Sequence, residues 1–180
     1  MATVFGRVAL QRPEGYRRRR KALIAGLCVE CGAPLPASGE CWTRVHELLE
    51  IETRVLPLLD TELGMRTHFF AVSTYQLQHP FRVAADALTD LGSAVAEQLA
   101  DGARPIAHLR RGIGRSIGSR KVGRQAEPGD RNHVDLNWPR SWSVTAADVV
   151  TMPDDNYPNA VAEWARMTLA DLGNLVHRSS

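Results

Sequence analysis

The sequence is short of several things, and each shortage removes a class of protein. It holds three cysteines in 180 residues. An odd count argues against a closed disulfide framework. No apolar run approaches the roughly 18 residues that a membrane span needs. The first residues, "MATVFGRVALQRPEGYRRRRK", are too broken by charge to read as a secretory signal. The expectation is a cytoplasmic protein with no membrane association, where CxxC points to metal or redox chemistry. There is no internal repeat and no firm strand; "HVDLNW" is the one weak candidate. "HELLE" (His46 to Glu50) lacks the second histidine of HExxH and reads as the polar outer face of a helix. "GIGRSIG" (Gly112, Gly114, Gly118) follows no strand, which a phosphate-cradling loop requires. No carboxylate pair and no nucleophile elbow stand out.

Acidic residues are missing from two stretches. Seven of the 22 Lys and Arg fall in residues 1–21 against one acid, Glu14, and seven more fall in 104–124 with no acid at all, although the net charge is only +2. Such clusters are footprints for nucleic acid or other anionic partners, or else solvated faces. The partner-binding expectation, for a protein or a nucleic acid, rests on Arg17, Arg18, Arg19, Arg20 and Lys21, and on Arg110, Arg111, Arg115, Arg120, Lys121 and Arg124.

What is present is helical periodicity. In "ECWTRVHELLEIETRVLPLLD", Val45, Leu48, Leu49, Val55, Leu56 and Leu59 recur at three- and four-residue steps. Ser38 is the expected N-cap, and Pro57 ends or kinks the helix. After a link with Gly64 as breaker, "THFFAVSTYQLQHP" predicts a second helix capped by Thr67 and stopped by Pro80. Pro80 also suits the first turn of a third helix through "FRVAADALTDLGSAVAEQLADG". "RPIAHLRRGIGRSIG" is a fourth candidate, weakened by three glycines. Thr145 is expected to cap a short turn, and "YPNAVAEWARMTLADLGNLVHR" is the last helix. The predicted fold is all-α: a four- to five-helix bundle with an N-terminal zinc-knuckle-like segment. Residues 1–26 form a basic, poorly ordered segment, and 27–180 a single helical domain with a mobile loop at about 119–137.

All three cysteines lie in "CVECGAPLPASGECW". Cys28 and Cys31 are spaced for one tetrahedral metal, and Gly32 allows the positive φ of a tight knuckle, with N–H groups turned towards sulfur. Cys41, at the start of the first helix, is the natural third ligand. A redox pair would sit at a helix start, which Gly32, Pro34 and Pro36 deny; inert thiols are the other alternative. The fourth ligand must come from elsewhere. A short link makes the first two helices an antiparallel hairpin, which puts His79 level with the Cys41–His46 region. His68 shares a face with His79, but a rise of roughly 16 Å separates them. The expected set is Cys28, Cys31, Cys41 and His79, with His46 as runner-up; the plainer reading has His79 only capping its helix. The expected ion is zinc in a structural role, which thiolates favour over hard ions.

"CVECGAPLP", "CW", "THFFAVSTYQLQHP", "WSVTAADVV" and a tryptophan-bearing last helix, taken together, resemble a family of uncharacterised bacterial proteins. Its hallmarks are a CxxCG knuckle, a downstream Cys-Trp, and a helix of the form H-x6-Y-x2-QHP, here His68, Tyr75, Gln78, His79 and Pro80. The resemblance spans roughly residues 28–170 and implies that cysteines and helix form one constellation. It implies no activity. Members often carry a histidine between the knuckle and Cys-Trp; "APLPASGE" has none, which makes ligation by His79 or His46 more necessary.

Two functions fit. One is a zinc-stabilised helical module acting by binding a partner. The other is a metal-dependent, hydrolase-like enzyme using the His68, Tyr75 and His79 face, with His68 as acid or base and Tyr75 as a donor to an oxyanion. Trp138 and Trp142 are interface anchors if exposed and bundle closers if buried.

Overall fold

The computed structural model describes residues 26–83, 85–100, 103–106, 138–139 and 141–176. Both basic clusters, the fourth helix beyond Ile106, the 119–137 loop and nearly all of "HVDLNW" lie outside these residues. Among the described residues there are five helices and no strand. They are α1 (Thr43–Val55), α2 (Thr61–Gln78), α3 (Ala85–Leu99), α4 (Ala146–Val149) and α5 (Tyr157–Val176). None is long and apolar enough to cross a membrane. The all-α expectation holds.

Helix boundaries differ from the pattern-based expectation in ways the side chains explain. Ser38 does not cap α1: its hydroxyl pairs with the Thr43 hydroxyl at 2.7 Å, and Trp42 takes the N-cap place. A 3₁₀ turn at Leu56–Leu58 carries Pro57, as expected. The second helix starts six residues before Thr67, at Thr61, because the Asp60 carboxylate accepts from the Leu63 N–H at 2.9 Å. Thr67 is buried inside the helix instead. Gly64 breaks nothing: it lies in the first turn of α2, beside Leu56 at the link. Pro80 opens a separate 3₁₀ turn, Pro80–Arg82, and α3 begins only at Ala85. Thr145 caps α4 as expected, its N–H and hydroxyl both donating to Asp148 at 2.8 Å.

Three contacts make α1 and α2 an antiparallel hairpin. Leu56 meets Gly64 at the link, Glu52 meets His68 midway, and Cys41 meets His79 at the open end. Helix α2 is the central element, burying Phe70, Ala71, Ser73, Thr74, Tyr75, Leu77 and Gln78 almost around its circumference. Burial on every side is what marks a core helix, yet four of its buried residues are polar. Gln78 is the informative one: its amide donates to the Val144 carbonyl and to the Thr168 hydroxyl, both at 2.8 Å, stitching α2 to α5 and to the segment before α4. The apolar core gathers Val45, Leu48, Ile51 and Val55 of α1, Leu88 and Val95 of α3, and Tyr157, Val161, Trp164 and Ala165 of α5.

Trp164 is fully buried, whereas Leu58 is 85% exposed. Trp164→Ala is therefore expected to cost about 3–5 kcal/mol of unfolding free energy, and Leu58→Ala no more than about 0.5 kcal/mol, measured by urea denaturation.

Candidate metal centre

The knuckle is a tight hairpin tied by one bridge, Leu27 to Pro34. Cys28 N–H donates to the Ala33 carbonyl and Leu35 N–H to the Gly26 carbonyl, both at 2.8 Å. The turn between the strand-like arms needs Gly32, whose φ is +75°. Its N–H goes to the Cys28 carbonyl at 3.0 Å. The positive φ expected from sequence is there, and the N–H is spent on closing the turn rather than on sulfur. Below the knuckle, Trp142 packs against Cys28, Cys31 and Ala33. Glu30 reaches across and accepts from the Phe81 N–H at 2.9 Å, which joins the knuckle to the turn after α2.

That turn presents the fourth donor. The end of a helix leaves carbonyls without intrahelical partners. In α2, the Gln76 carbonyl takes the His79 N–H at 3.1 Å, and the Leu77 carbonyl takes the Trp138 indole N–H at 3.0 Å. The Tyr75 carbonyl takes His79 Nδ1 at 2.8 Å. A carbonyl only accepts, so Nδ1 must carry a proton, and in the neutral ring the lone pair then sits on Nε2. Nε2 lies 3.2 Å from Cys41 Sγ and 3.6 Å from Cys28 Sγ. His79 thus caps its helix with one nitrogen and faces the thiols with the other. The two readings of His79 left open by the sequence describe two ends of one ring.

The Cys31 and Cys41 sulfurs are 3.7 Å apart, and the ligand atoms of Cys28, Cys31, Cys41 and His79 all lie within 4.8 Å of one another. A zinc ion with sulfurs at about 2.3 Å implies tetrahedral S–S edges of about 3.8 Å. The donor set fits such an ion in spacing and in chemistry, and could hold one. His46 stands apart from the set, exposed on α1 with its ring edge towards Trp42. His68 is elsewhere on α2, paired with Glu52. Tyr75 belongs to the metal centre: it stacks on His79 at 3.8 Å between ring centroids, and Trp42 closes over it edge-on at 5.6 Å. The His68, Tyr75 and His79 face is therefore divided between two places. Of the two loop tryptophans, Trp142 is buried under the knuckle and Trp138 is half-buried against the end of α2, so both close the bundle.

These residues carry the pattern of one family. The model of a family of unknown function (DUF5946) matches residues 26–173, from the knuckle into the last helix. The chain belongs to that family. No curated protein and no solved structure matches it. The DUF5946 match begins at the residue where the knuckle hairpin begins, so knuckle and helices fall within one family unit.

The electrostatics of the centre follow from crowding. Hydrogen bonds from Cys31 and Cys41 hold the Cys28 thiol far below its usual range, outweighing its burial. Cys31 is pushed the other way by its hydrogen bonds to Cys28 and Cys41 and by burial. Burial would push the His79 imidazolium down, but its bonds to Cys28 and Cys41 win and raise it from 6.5 to about 10. Burial, then the nearby cysteine charge, raises Tyr75 far above the usual phenol range, so it stays protonated and donates to Cys41. Without metal, the centre is thus a thiolate paired with an imidazolium. A metal bound there would take the place of that proton.

The sign of the pH dependence follows. A raised histidine contributes stability in full below 6.5 and loses it as the pH climbs towards about 10. Between 6.5 and the ordinary thiol value of 9.0 the lowered Cys28 offsets the raised His79 proton for proton, so chelator-treated protein is expected to lose resistance to urea only above about 9, while zinc affinity, measured by competition with a chromophoric chelator, rises with pH. Flat profiles in both measurements would contradict the pairing.

Proposed function

We propose that this protein is a zinc-stabilised helical module that acts by binding a partner, with Cys28, Cys31, Cys41 and His79 as the ligands of a structural ion. The observation that carries this reading is the closure of the donor set: four protein atoms converge within 4.8 Å of one another. Four protein ligands complete a tetrahedral zinc and leave no position for a substrate, which is the mark of structural sites. Three sulfurs favour zinc over hard ions. The ion would pin the knuckle to the open end of the α1–α2 hairpin, adding to the Glu30–Phe81 and Trp142 contacts. Because the unfolded chain holds no such site, most of the binding energy would count as folding energy.

The partner-binding part rests on two features, one of sequence and one of structure. The basic clusters Arg17–Lys21 and Arg110–Arg124 suit nucleic acid. Beside the metal centre, Trp42 (51% exposed), His46 and Leu49 recur at helical spacing along the outer side of α1, and an exposed tryptophan in such a stripe suits a protein. The enzyme reading asks for a metal with an open position next to His68 and Tyr75; a complete donor set and the separation of those residues weigh towards the structural role.

Elemental analysis of untagged protein should find one zinc per chain. Cys28→Ser and His79→Ala should lower it sharply, with loss of cooperative unfolding. Zinc retained by a folded His79→Ala protein, or no zinc in the wild type, would overturn the ligand assignment. For the partner, affinity for mixed RNA and DNA oligonucleotides should fall by about a thousandfold or more between 50 and 200 mM salt if six or more phosphates are engaged. No binding at low salt would remove the nucleic-acid branch.

A further inference from the structure

The three thiols of the metal centre are not equivalent. Cys28 and Cys31 are buried, while Cys41 is partly open to solvent. Cys28 is held through both of its backbone groups by the knuckle hairpin: its N–H donates to the Ala33 carbonyl at 2.8 Å, and its carbonyl accepts from the Gly32 N–H at 3.0 Å. Its sulfur faces His79 Nε2 at 3.6 Å. Cys41 stands outside that hairpin, two residues before α1 begins at Thr43. Its sulfur lies 3.7 Å from that of Cys31. One partly open thiol thus sits directly against a buried one.

A disulfide holds its sulfurs about 2.05 Å apart, so this gap has to close by about 1.7 Å. The chain between the two cysteines has room to give. Ala37, Ser38, Gly39 and Glu40 are all exposed. Gly39 sits at φ +77°, and a Cβ placed there would meet nothing within 4 Å. Closing Cys28 onto Cys31 would instead act inside the turn that the hairpin's own backbone bonds fix. The order of reaction follows from access, because a hydroperoxide reaches Cys41 first. The Cys41 thiolate attacks one peroxide oxygen, the O–O bond breaks, and the sulfur becomes a sulfenic acid. The other oxygen leaves with the proton that the thiol gave up, as water or an alcohol. The Cys31 thiol then attacks the Cys41 sulfur, the S–S bond forms, and the hydroxyl leaves as water with the Cys31 proton. Two thiols lose two electrons, and one peroxide gains them.

We propose that Cys31 and Cys41 form a peroxide-driven thiol–disulfide switch: oxidation joins them, leaves Cys28 a free thiol and dismantles the donor set, and a thiol reductant restores it. Only Cys28 and His79 would remain as donors, one fewer than even an open catalytic zinc site keeps. The disulfide needs no ion and stands apart from the zinc assignment; the release of an ion rests on that reading. The switch also adjoins the outer stripe of α1, because the half-exposed Trp42 follows Cys41 in the chain.

The test treats the full chain with hydrogen peroxide in two forms, chelator-treated and zinc-loaded, and then tags free thiols with iodoacetamide. Trypsin followed by cleavage after glutamate puts the three cysteines in separate peptides, 22–30, 31–40 and 41–44. In both forms, mass spectrometry should find peptides 31–40 and 41–44 joined, with the tag on Cys28, and dithiothreitol should separate them. Oxidised in denaturant, where the fold no longer selects the pair, the chain should give a mixture that includes Cys28 disulfides. The zinc-loaded chain should release one zinc per disulfide to a chromophoric chelator, on the same time course. The proposal fails if Cys28 is in the main disulfide of the folded chain, if Cys41 goes on to a sulfinic acid unjoined, or if all three thiols still take the tag after excess peroxide. It fails equally if the zinc-loaded chain keeps its ion under that treatment. A wild type that never holds zinc yet joins Cys31 to Cys41 would uphold the disulfide and overturn the zinc reading alone.

Discussion

The last turn of α2 leaves carbonyls that no backbone N–H of the helix can reach, and what meets them organises the knuckle end of the molecule. Pro80 prevents the helix from continuing. The Tyr75 carbonyl is met by the His79 ring and the Leu77 carbonyl by Trp138. Meeting the first carbonyl fixes which way the imidazole faces and which nitrogen keeps its lone pair. The thiols of the knuckle then gather where that lone pair points. Tyr75 stacks on the ring from within the same helix, and Trp42 packs at right angles to Tyr75 in turn. Metal-ligating histidines as a class need an outer partner to hold tautomer and orientation; for His79 the helix's own backbone stands in that place.

The same helix explains why Gln78 stands beside His79. Its amide spans the join between α2, the Val144 strap and α5, at a depth where an unpaired polar group would be costly. The His-Tyr-Gln-His-Pro pattern is therefore several separate uses of one helix. His68 is held by a buried carboxylate, Tyr75 stacks on the His79 ring, and Gln78 locks α5. His79 divides its two nitrogens, and Pro80 ends the helix.

The cysteine spacing, the antiparallel hairpin and the nearness of His79, rather than His46, to the cysteines were legible in the sequence because each follows from short-range geometry: two residues between thiols, one short link between helices. Cap positions were less so. Ser38 and Thr67 are chemically good caps, but Asp60 starts α2 about two turns earlier, and propensity alone does not rank competing caps. Leu49 belongs to the apolar period yet faces outward, while Glu52 lies inward. The signal for Glu52 was present: it falls seven residues after Val45 and three before Val55, on their stripe. Its partners, His68 and Tyr157, come from 16 and 105 residues away, and nothing local in α1 announces them. Trp138 and Trp142 had two readings, and only the tertiary structure decides between them, because burial of a loop residue depends on what folds over it.

The donor set also has a chain-topology consequence. Its three thiols lie within one short stretch, but the imidazole is 51 residues beyond Cys28. The segment between them contains all of α1 and α2. A bond through a common ion would therefore act as a cross-link around the whole hairpin, removing conformational freedom from the denatured ensemble much as a disulfide of that span does. The thiols alone could seize an ion before the hairpin exists. The imidazole arrives only once α2 has formed and docked, so completion of the coordination shell would report the moment of helix docking during refolding.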